Sequence, residues 1–428
     1  MSEERVRGSG TTTKKLRKTS RRRFLTTSTL AIGSLAIYGG RAHGQGAIKI
    51  GAQGIASGSH TDYGRQILMG ARLAAEEISA AGGMLGRSVE ILFRDSELNK
   101  DVAVKNARFF KEQGADFLVG TDSSGLALAI GPVLPELDLI QIFTHASTEK
   151  LTEELVYKQG IKHIFRGSVP LYQDAILPAL IFKDFPAVKR IANLGADYTY
   201  GRTIWRMFHT TLRKFRPDVE IVGETWAPYF TADFTPHISA LLANKPDLIL
   251  ATPWAGEAVM MLRQATTLGV FDTIQVWWQA MGGSVDVMEG IARDVQQGKF
   301  QDKLWATARY IWNWPETSEN RAFVDRFRER WGRLPNYSAE NTYSAVYALK
   351  AAAEKAGTTQ TAAVIKTLEG LEISTPAGKR FYRPEDHQAV YNVPAGRVTF
   401  DRNVAPIAFL TDLRVFPADD YFRKPPFA

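Results

Sequence analysis

The residues with the clearest chemical potential fall in a few short loops. Thr121-Asp122-Ser123-Ser124-Gly125 and His145-Ala146-Ser147-Thr148 offer hydroxyls, backbone N–H groups and one acid. Residues 53–62 lead into Tyr63, residues 197–201 (DYTYG) carry Tyr200, and residues 253–257 (PWAGE) carry Trp254. Hydroxyls beside free helix N-termini suit a carboxylate, because unpaired N–H groups and the helix dipole both favour negative charge. Tyr and Trp supply apolar walls with a polar edge. Each residue also has a plainer role. Ser123 and Ser124 are good N-caps for a following helix, and Trp254, Trp277 and Trp278 are good core residues. This is chemistry for holding a ligand rather than for breaking a bond.

The motifs of bond-breaking chemistry are missing. Gly51 and Gly54 do not complete a GxGxxG, and the chain has no GxxxxGK[ST], HExxH or GxSxG. Glu385-Asp386-His387 reads as a solvated turn rather than a metal or acid–base site. The chain has no Cys, which removes disulfides, thiolate zinc sites, iron–sulfur clusters and a cysteine nucleophile. No cofactor and no metal is expected.

These loops must be positioned by the elements around them, which begin after an export segment. Ser20-Arg21-Arg22-Arg23-Phe24-Leu25 resembles the twin-arginine signal. A basic stretch precedes it, an uncharged run over residues 24–40 follows, and Ala42-His43-Gly44 is a small-x-small cleavage site before Gln45. The run is shorter and more polar than the ~20 apolar residues of a membrane span. Residues 1–44 are therefore expected to be a removable twin-arginine signal peptide, and the mature protein to work in the periplasm. The segment also accounts for the charge. It holds ten of the 53 basic residues and two of the 45 acidic ones, so the +8 of the whole chain becomes 43 of each sign beyond it. A neutral mature chain gives no electrostatic case for nucleic acid. With no Cys there is also no lipid anchor.

About 384 residues remain, more than one core usually organises, so two domains are expected. Strand patterns at 47–52, 88–95, 115–120 and 139–144 alternate with helical patterns at 63–81, 101–113 and 126–134. The alternation then restarts, with strands at 188–195, 219–224, 247–252 and 273–278 and helices at 201–215, 234–243 and 256–268. Helices follow at 320–331, 338–356 and 362–368, and residues 376–428 read as short strands and turns. Such alternation predicts an α/β fold of parallel sheets covered by helices on both faces. The loops named above then lie beyond the carboxyl ends of the strands, where such sheets bind ligands.

In this order the segments resemble the type I periplasmic binding proteins of the Leu/Ile/Val class, the solute receptors of ABC importers. The resemblance is carried by residues 48–56 (IKIGAQGIA), Tyr63-Gly64, Gly70-Ala71-Arg72-Leu73-Ala74, Glu76-Glu77-Ile78, Ala81-Gly82-Gly83, Gly86 and Asp95. It continues through 120–125, Tyr200-Gly201, Leu262-Arg263-Gln264-Ala265 and Pro384-Glu385-Asp386-His387-Gln388. It implies two α/β lobes joined by three crossovers and closing like a hinge: lobe one 45–166 plus 315–373, lobe two 167–314 plus 374–428. It implies a non-enzymatic, monomeric receptor whose partners are a small ligand and an ABC permease. The ligand's carboxylate would meet Ser124 or Ser123, the backbone of Ala146, and Thr148, with Tyr63 covering it and Tyr200 and Trp254 closing from lobe two. One departure stands out. Receptors of this class place an acid near the ligand's ammonium after the strand at 273–278, and this chain has Gln279-Ala280-Met281. Asp122 would then substitute as amine partner, or the ligand has no amine. The expected ligand is an amino acid or related small carboxylate. The alternatives are an aromatic carboxylate, amide or urea on the same fold, a ligand sensor, or, with least support, an exported enzyme.

Overall fold

The computed structural model describes residues 46–427. The export segment expected at 1–44 lies outside the described residues. The first sheet contains β1 (Ile48–Gly54), β2 (Val89–Asp95), β3 (Phe117–Gly120), β4 (Ile140–Phe143) and β5 (Ile164–Arg166) in the order β2-β1-β3-β4-β5. All its pairings are parallel, with Ile48 opposite Val89 and Phe117 opposite Ile140. β3 and β4 are buried at every residue, as continuous apolar runs should be when helices cover both faces. Strand alternation divides their side chains between two cores. Phe117 and Val119 join the core under helices Thr61–Ala80 and Tyr337–Ala356, while Leu118 joins Phe110 and Leu126 on the other face. Helices Thr61–Ala80 and Tyr337–Ala356 lie close together at Gly70, where a Cβ would stand 2.1 Å from the Ala339 carbonyl oxygen. Only glycine permits that approach.

The second sheet contains β6 (Arg190–Ala196), β7 (Glu220–Ala227), β8 (Leu248–Ala251), β9 (Val276–Gln279) and β10 (Leu304–Thr307), all in parallel pairings. A small antiparallel sheet follows, from β11 (Glu372–Thr375), β12 (Gly378–Tyr382) and β13 (Ala389–Val390). β14 (Val393–Thr399) and β15 (Phe409–Phe416) then return antiparallel to the second sheet, whose order is β15-β14-β10-β9-β8-β6-β7. The chain thus leaves the first sheet after β5 and the second after β10, and rejoins the second at β14. Trp277 and Trp278 are both core residues of β9. Trp278 meets Phe182 edge-on at 5.4 Å, and Trp277 lies 5.8 Å from Phe271. Among the described residues no helix is long and apolar enough to cross a membrane.

The turn at 385–387 is solvated only at Glu385, and its other two residues depart from expectation. Asp386 and His387 are buried. Asp386 pairs with Arg383 at 2.6 Å. His387 stacks on Phe165 at 4.0 Å, bonds the Ile164 carbonyl through Nδ1 (2.8 Å) and faces Glu369 through Nε2 (3.0 Å). These residues fasten the strand β5 crossover. Buried Arg380 adds a second fastening, ion-paired with Glu340 and donating to the Gly167 carbonyl and Asn341 Oδ1 at 2.8 Å each.

Candidate functional site

The carboxyl ends of the two sheets face each other across a narrow cavity. The first sheet contributes Asp122, Ser123, Ser124, His145 and Ser147, from the loops after β3 and β4. The second contributes Tyr198, Tyr200, Trp254, Met281 and Arg309, from the loops after β6, β8, β9 and β10. The site therefore exists only where both sheets meet.

Ser123 caps helix Ser124–Ile130, its hydroxyl accepting from the Leu126 N–H at 3.4 Å. Its plainer role is thus realised, and it also borders the cavity. Ser124 is buried at the first residue of that helix. Its hydroxyl and the helix N-terminus together form an anion-friendly corner. Asp122 is buried beside them. Its Oδ2 accepts from the Ile55 N–H and the Ser96 hydroxyl, both at 2.7 Å, whereas Oδ1 has no hydrogen-bond partner. Burial raises the Asp122 carboxyl to about 7; the Ser96 and Ile55 bonds hold it down in part, and nearby Asp95 adds to the rise.

Arg309 enters from the opposite side, two residues past β10. Its Nη1 donates to the His145 carbonyl at 2.7 Å, and its Nη2 donates to Ser147 Oγ at 2.8 Å and to Asp174 Oδ2 at 3.1 Å. Both members of the Arg309–Asp174 pair are essentially inaccessible to water. Asp174 also accepts from the Tyr200 hydroxyl (3.0 Å) and the Thr307 hydroxyl (2.7 Å). Burial disfavours the Arg309 cation, but Asp174, Tyr337 and Tyr200 outweigh it and raise its pKa, so it stays charged. Its Nε has no hydrogen-bond partner. Two buried donors and a buried acceptor, Arg309 Nε, Trp254 Nε1 and Asp122 Oδ1, therefore stand unsatisfied on residues lining one small cavity. Such atoms are rare in native interiors, because each costs about 1–3 kcal/mol.

Aromatic rings close the walls. Trp254 packs on His60 at 4.2 Å, on Tyr63 at 5.0 Å and on His145 at 5.3 Å. Tyr63 does not line the cavity itself. It stands behind Trp254 and reaches across, its hydroxyl 2.8 Å from Ser284 Oγ. Tyr198 and Tyr200 stack at 5.8 Å. His145 is held between Tyr337 (2.8 Å to Nε2) and Ser338 (3.0 Å to Nδ1). Burial and then the Arg309 charge push its pKa well below the usual histidine range, so it is neutral. Burial likewise takes His60 down to about 4.

Asp122, Ser123, Ser124, Tyr200 and Trp254 are thus brought together around the cavity as the loop positions suggested. Ala146, Thr148 and Gln279 are placed elsewhere. The Ala146 N–H donates to the Thr121 carbonyl at 3.2 Å. The Thr148 carbonyl accepts from Arg166, and its hydroxyl points to Glu149 at 3.5 Å. Gln279 is buried in its own sheet, donating to the Pro253 carbonyl at 2.6 Å and accepting from Trp277 Nε1 at 3.1 Å. From that loop it is Met281, with φ +57°, that reaches the cavity. Arg309 and Asp174 were not anticipated, and His145, Ser147, Tyr198 and Met281 lie in the loops named but were not singled out. The signal for Arg309 was a cation just beyond the short apolar run 304–307.

A family model described as periplasmic binding protein matches residues 47–403. The Leu/Ile/Val-binding protein BraC3 of Rhizobium johnstonii is 28% identical over 346 residues, which is 78% of this chain and 87% of that one. The fold is similar to that of a solute binding protein of an ABC transporter from Rhodopseudomonas palustris BisB5, solved in complex with 3,4-dihydroxy benzoic acid. The TM-score is 0.75 at 21% identity, covering 87% of this chain and 98% of that one. It is also similar to the branched-chain amino acid transporter substrate binding protein LivJ from Streptococcus pneumoniae, in complex with isoleucine. There the TM-score is 0.71 at 20% identity, with coverage of 85% and 99%. At such identities these two structures speak for the α/β fold alone.

Proposed function

The chain belongs to the periplasmic binding protein family, and from that premise we propose that it captures a small carboxylate in the cavity between its two sheets and presents it to an ABC permease. It is a solute-binding receptor and not an enzyme. The observation that carries the ligand class is the unsatisfied charge-bearing atoms among these, Arg309 Nε and Asp122 Oδ1, on residues of the cavity lining. A ligand carboxylate meets the first together with Ser124 and the helix N-terminus, because charge-assisted bonds are the strongest available there. The rest of the ligand lies against Tyr200, Trp254 and Met281, with Tyr63 buttressing Trp254.

Most of the lining residues are buried, so a ligand enters when the sheets part. We take the moving bodies to be residues 45–166 plus 315–373 and 167–314 plus 374–428. The return of β14 and β15 to the second sheet and the packing of helix Tyr337–Ala356 on helix Thr61–Ala80 support that division. Ligand contacts made from both sides stabilise the closed form and shift its population. The twin-arginine segment delivers the chain to the periplasm in this reading.

Two ligand types fit. An amino acid is favoured by Asp122 Oδ1, which can accept from an ammonium. An aromatic acid is favoured by the wall of Tyr198, Tyr200 and Trp254. The test is a thermal-shift screen of residues 45–428 with isoleucine, phenylalanine, benzoate, 4-hydroxybenzoate, benzamide and urea. Ligand that binds only the folded state raises the melting temperature. A shift with one of the acids supports the reading; a screen in which only benzamide or urea shifts the melt, or nothing does, overturns it.

A further inference from the structure

The cavity contains an acid that the binding of a carboxylate does not use. Asp122 Oδ1 lies buried and unpaired while Oδ2 is fixed by two donors. The groups facing Asp122 are few. The Ile55 N–H approaches from the loop after β1, and Asp95 and Ser96 approach from the end of β2. The Tyr229 hydroxyl lies in range from the opposite lobe. His145 and Arg309 share the cavity, the first neutral and the second already paired with Asp174. Among the described residues that line the cavity, no cation is left over for an Asp122 carboxylate, and the Lys100 side chain lies outside the lining against Gly125. The Arg309–Asp174 pair contributes no net charge, so the charge of the occupied cavity is set by Asp122 and the ligand alone.

We propose that Asp122 selects ligands by their charge through its own proton: protonated, it admits a monocarboxylate, and ionised, it takes a zwitterion by accepting from the ammonium. Both occupied states carry one net negative charge. A monoanion with neutral Asp122 gives −1, and a neutral zwitterion with ionised Asp122 gives −1. The disfavoured combinations are a monoanion against a second buried anion, and an ammonium against an uncharged acid. The missing acid at Gln279 is thereby replaced by one whose protonation depends on the surroundings. The raised position of the Asp122 carboxyl, about 7, puts the switch near neutral pH. This inference rests on the carboxylate reading above and extends it to specificity.

By linkage, a zwitterion binds about tenfold more tightly per pH unit as pH rises toward 7 and then levels, while a monoanion weakens about tenfold per unit above 7. Isothermal titration of the wild-type chain with isoleucine and with benzoate, from about pH 5.5 to about pH 8.5, tests both limbs. Running each titration in buffers of different ionisation enthalpy also counts protons. Isoleucine at the acid end should release close to one, and benzoate at the alkaline end should take up close to one. Asp122→Asn keeps an acceptor for Ile55 and Ser96 and should flatten both profiles. If that variant does not fold, the wild-type proton count decides alone. A ligand that binds wild type with pH-independent affinity and no proton exchange overturns the selector while leaving the carboxylate reading intact. Failure of every acid to bind at any pH overturns both.

Discussion

Arg309→Met is the perturbation that probes the site most deeply. The guanidinium is buried and makes three hydrogen bonds, to the His145 carbonyl, Ser147 and Asp174. Met keeps much of the side-chain length but supplies no charge. Asp174 would then be a buried carboxylate with two hydroxyl donors, Tyr200 and Thr307, and no cation. Breaking one side of a buried ion pair costs about 3–5 kcal/mol, mainly because of the charge left behind. In a chain of this size that lowers the melting temperature by roughly 4–6 °C. The origin of the cost is tested by the double variant. Arg309→Met with Asp174→Asn removes both charges, so it should recover at least about 1–2 kcal/mol relative to the sum of the single changes. Urea melts of wild type, both single variants and the double variant complete the cycle. Strict additivity, or an Arg309→Met protein as stable as wild type, would refute the claim that this pair is a mutually dependent unit within the second lobe.

Other expectations follow from packing, titration and export. Gly70→Ala places a methyl 2.1 Å from the Ala339 carbonyl and should cost about 1–3 kcal/mol or more in a urea melt; a neutral result contradicts the close helix contact. His60 binds its proton at about 4 when folded and near 6.5 when unfolded. Its contribution is therefore complete above 6.5 and lost as pH falls toward 4. Relative to His60→Phe, wild type should lose about 3 kcal/mol between neutral pH and pH 4; parallel pH profiles contradict it. Arg21→Lys with Arg22→Lys should leave unprocessed precursor in the cytoplasm of the native host, as read by fractionation. Normal export of that double variant rejects the signal assignment.

The fold was legible because its signals are long-range and redundant. β1 to β4 and their helices alternate in apolar runs that can hardly be read another way, and Gly82-Gly83 ends the first long helix. The loops therefore fall at the strand ends, and Asp122, Ser124, Tyr200 and Trp254 border the cavity there. What the sequence could not show was the direction of side chains within those loops. Gln279 occupies the right loop, but it sits two residues from Trp277 on the same face of β9 and serves that indole. Thr148 gives its carbonyl to Arg166, and Arg166 is also bonded to Gln388, 222 positions away from it in sequence. Arg309 was missed because β10 has only four residues, Leu-Trp-Ala-Thr, too few for a period to stand out. Its partner Asp174 lies on a different element, helix Tyr172–Phe182, so no local spacing links the two.

The cavity is expected to hold a carboxylate. This expectation is tested most directly by calorimetric titration of residues 45–428 with matched acid and amide pairs: benzoate against benzamide, and isoleucine against isoleucinamide. Each pair has nearly the same shape and differs in the group offered to Arg309 and Ser124. The account predicts that one acid binds and that its amide binds about a hundredfold more weakly or not at all, the loss expected when a buried charge-assisted bond is removed. Equal affinity within a pair, or preference for the amide, would contradict it.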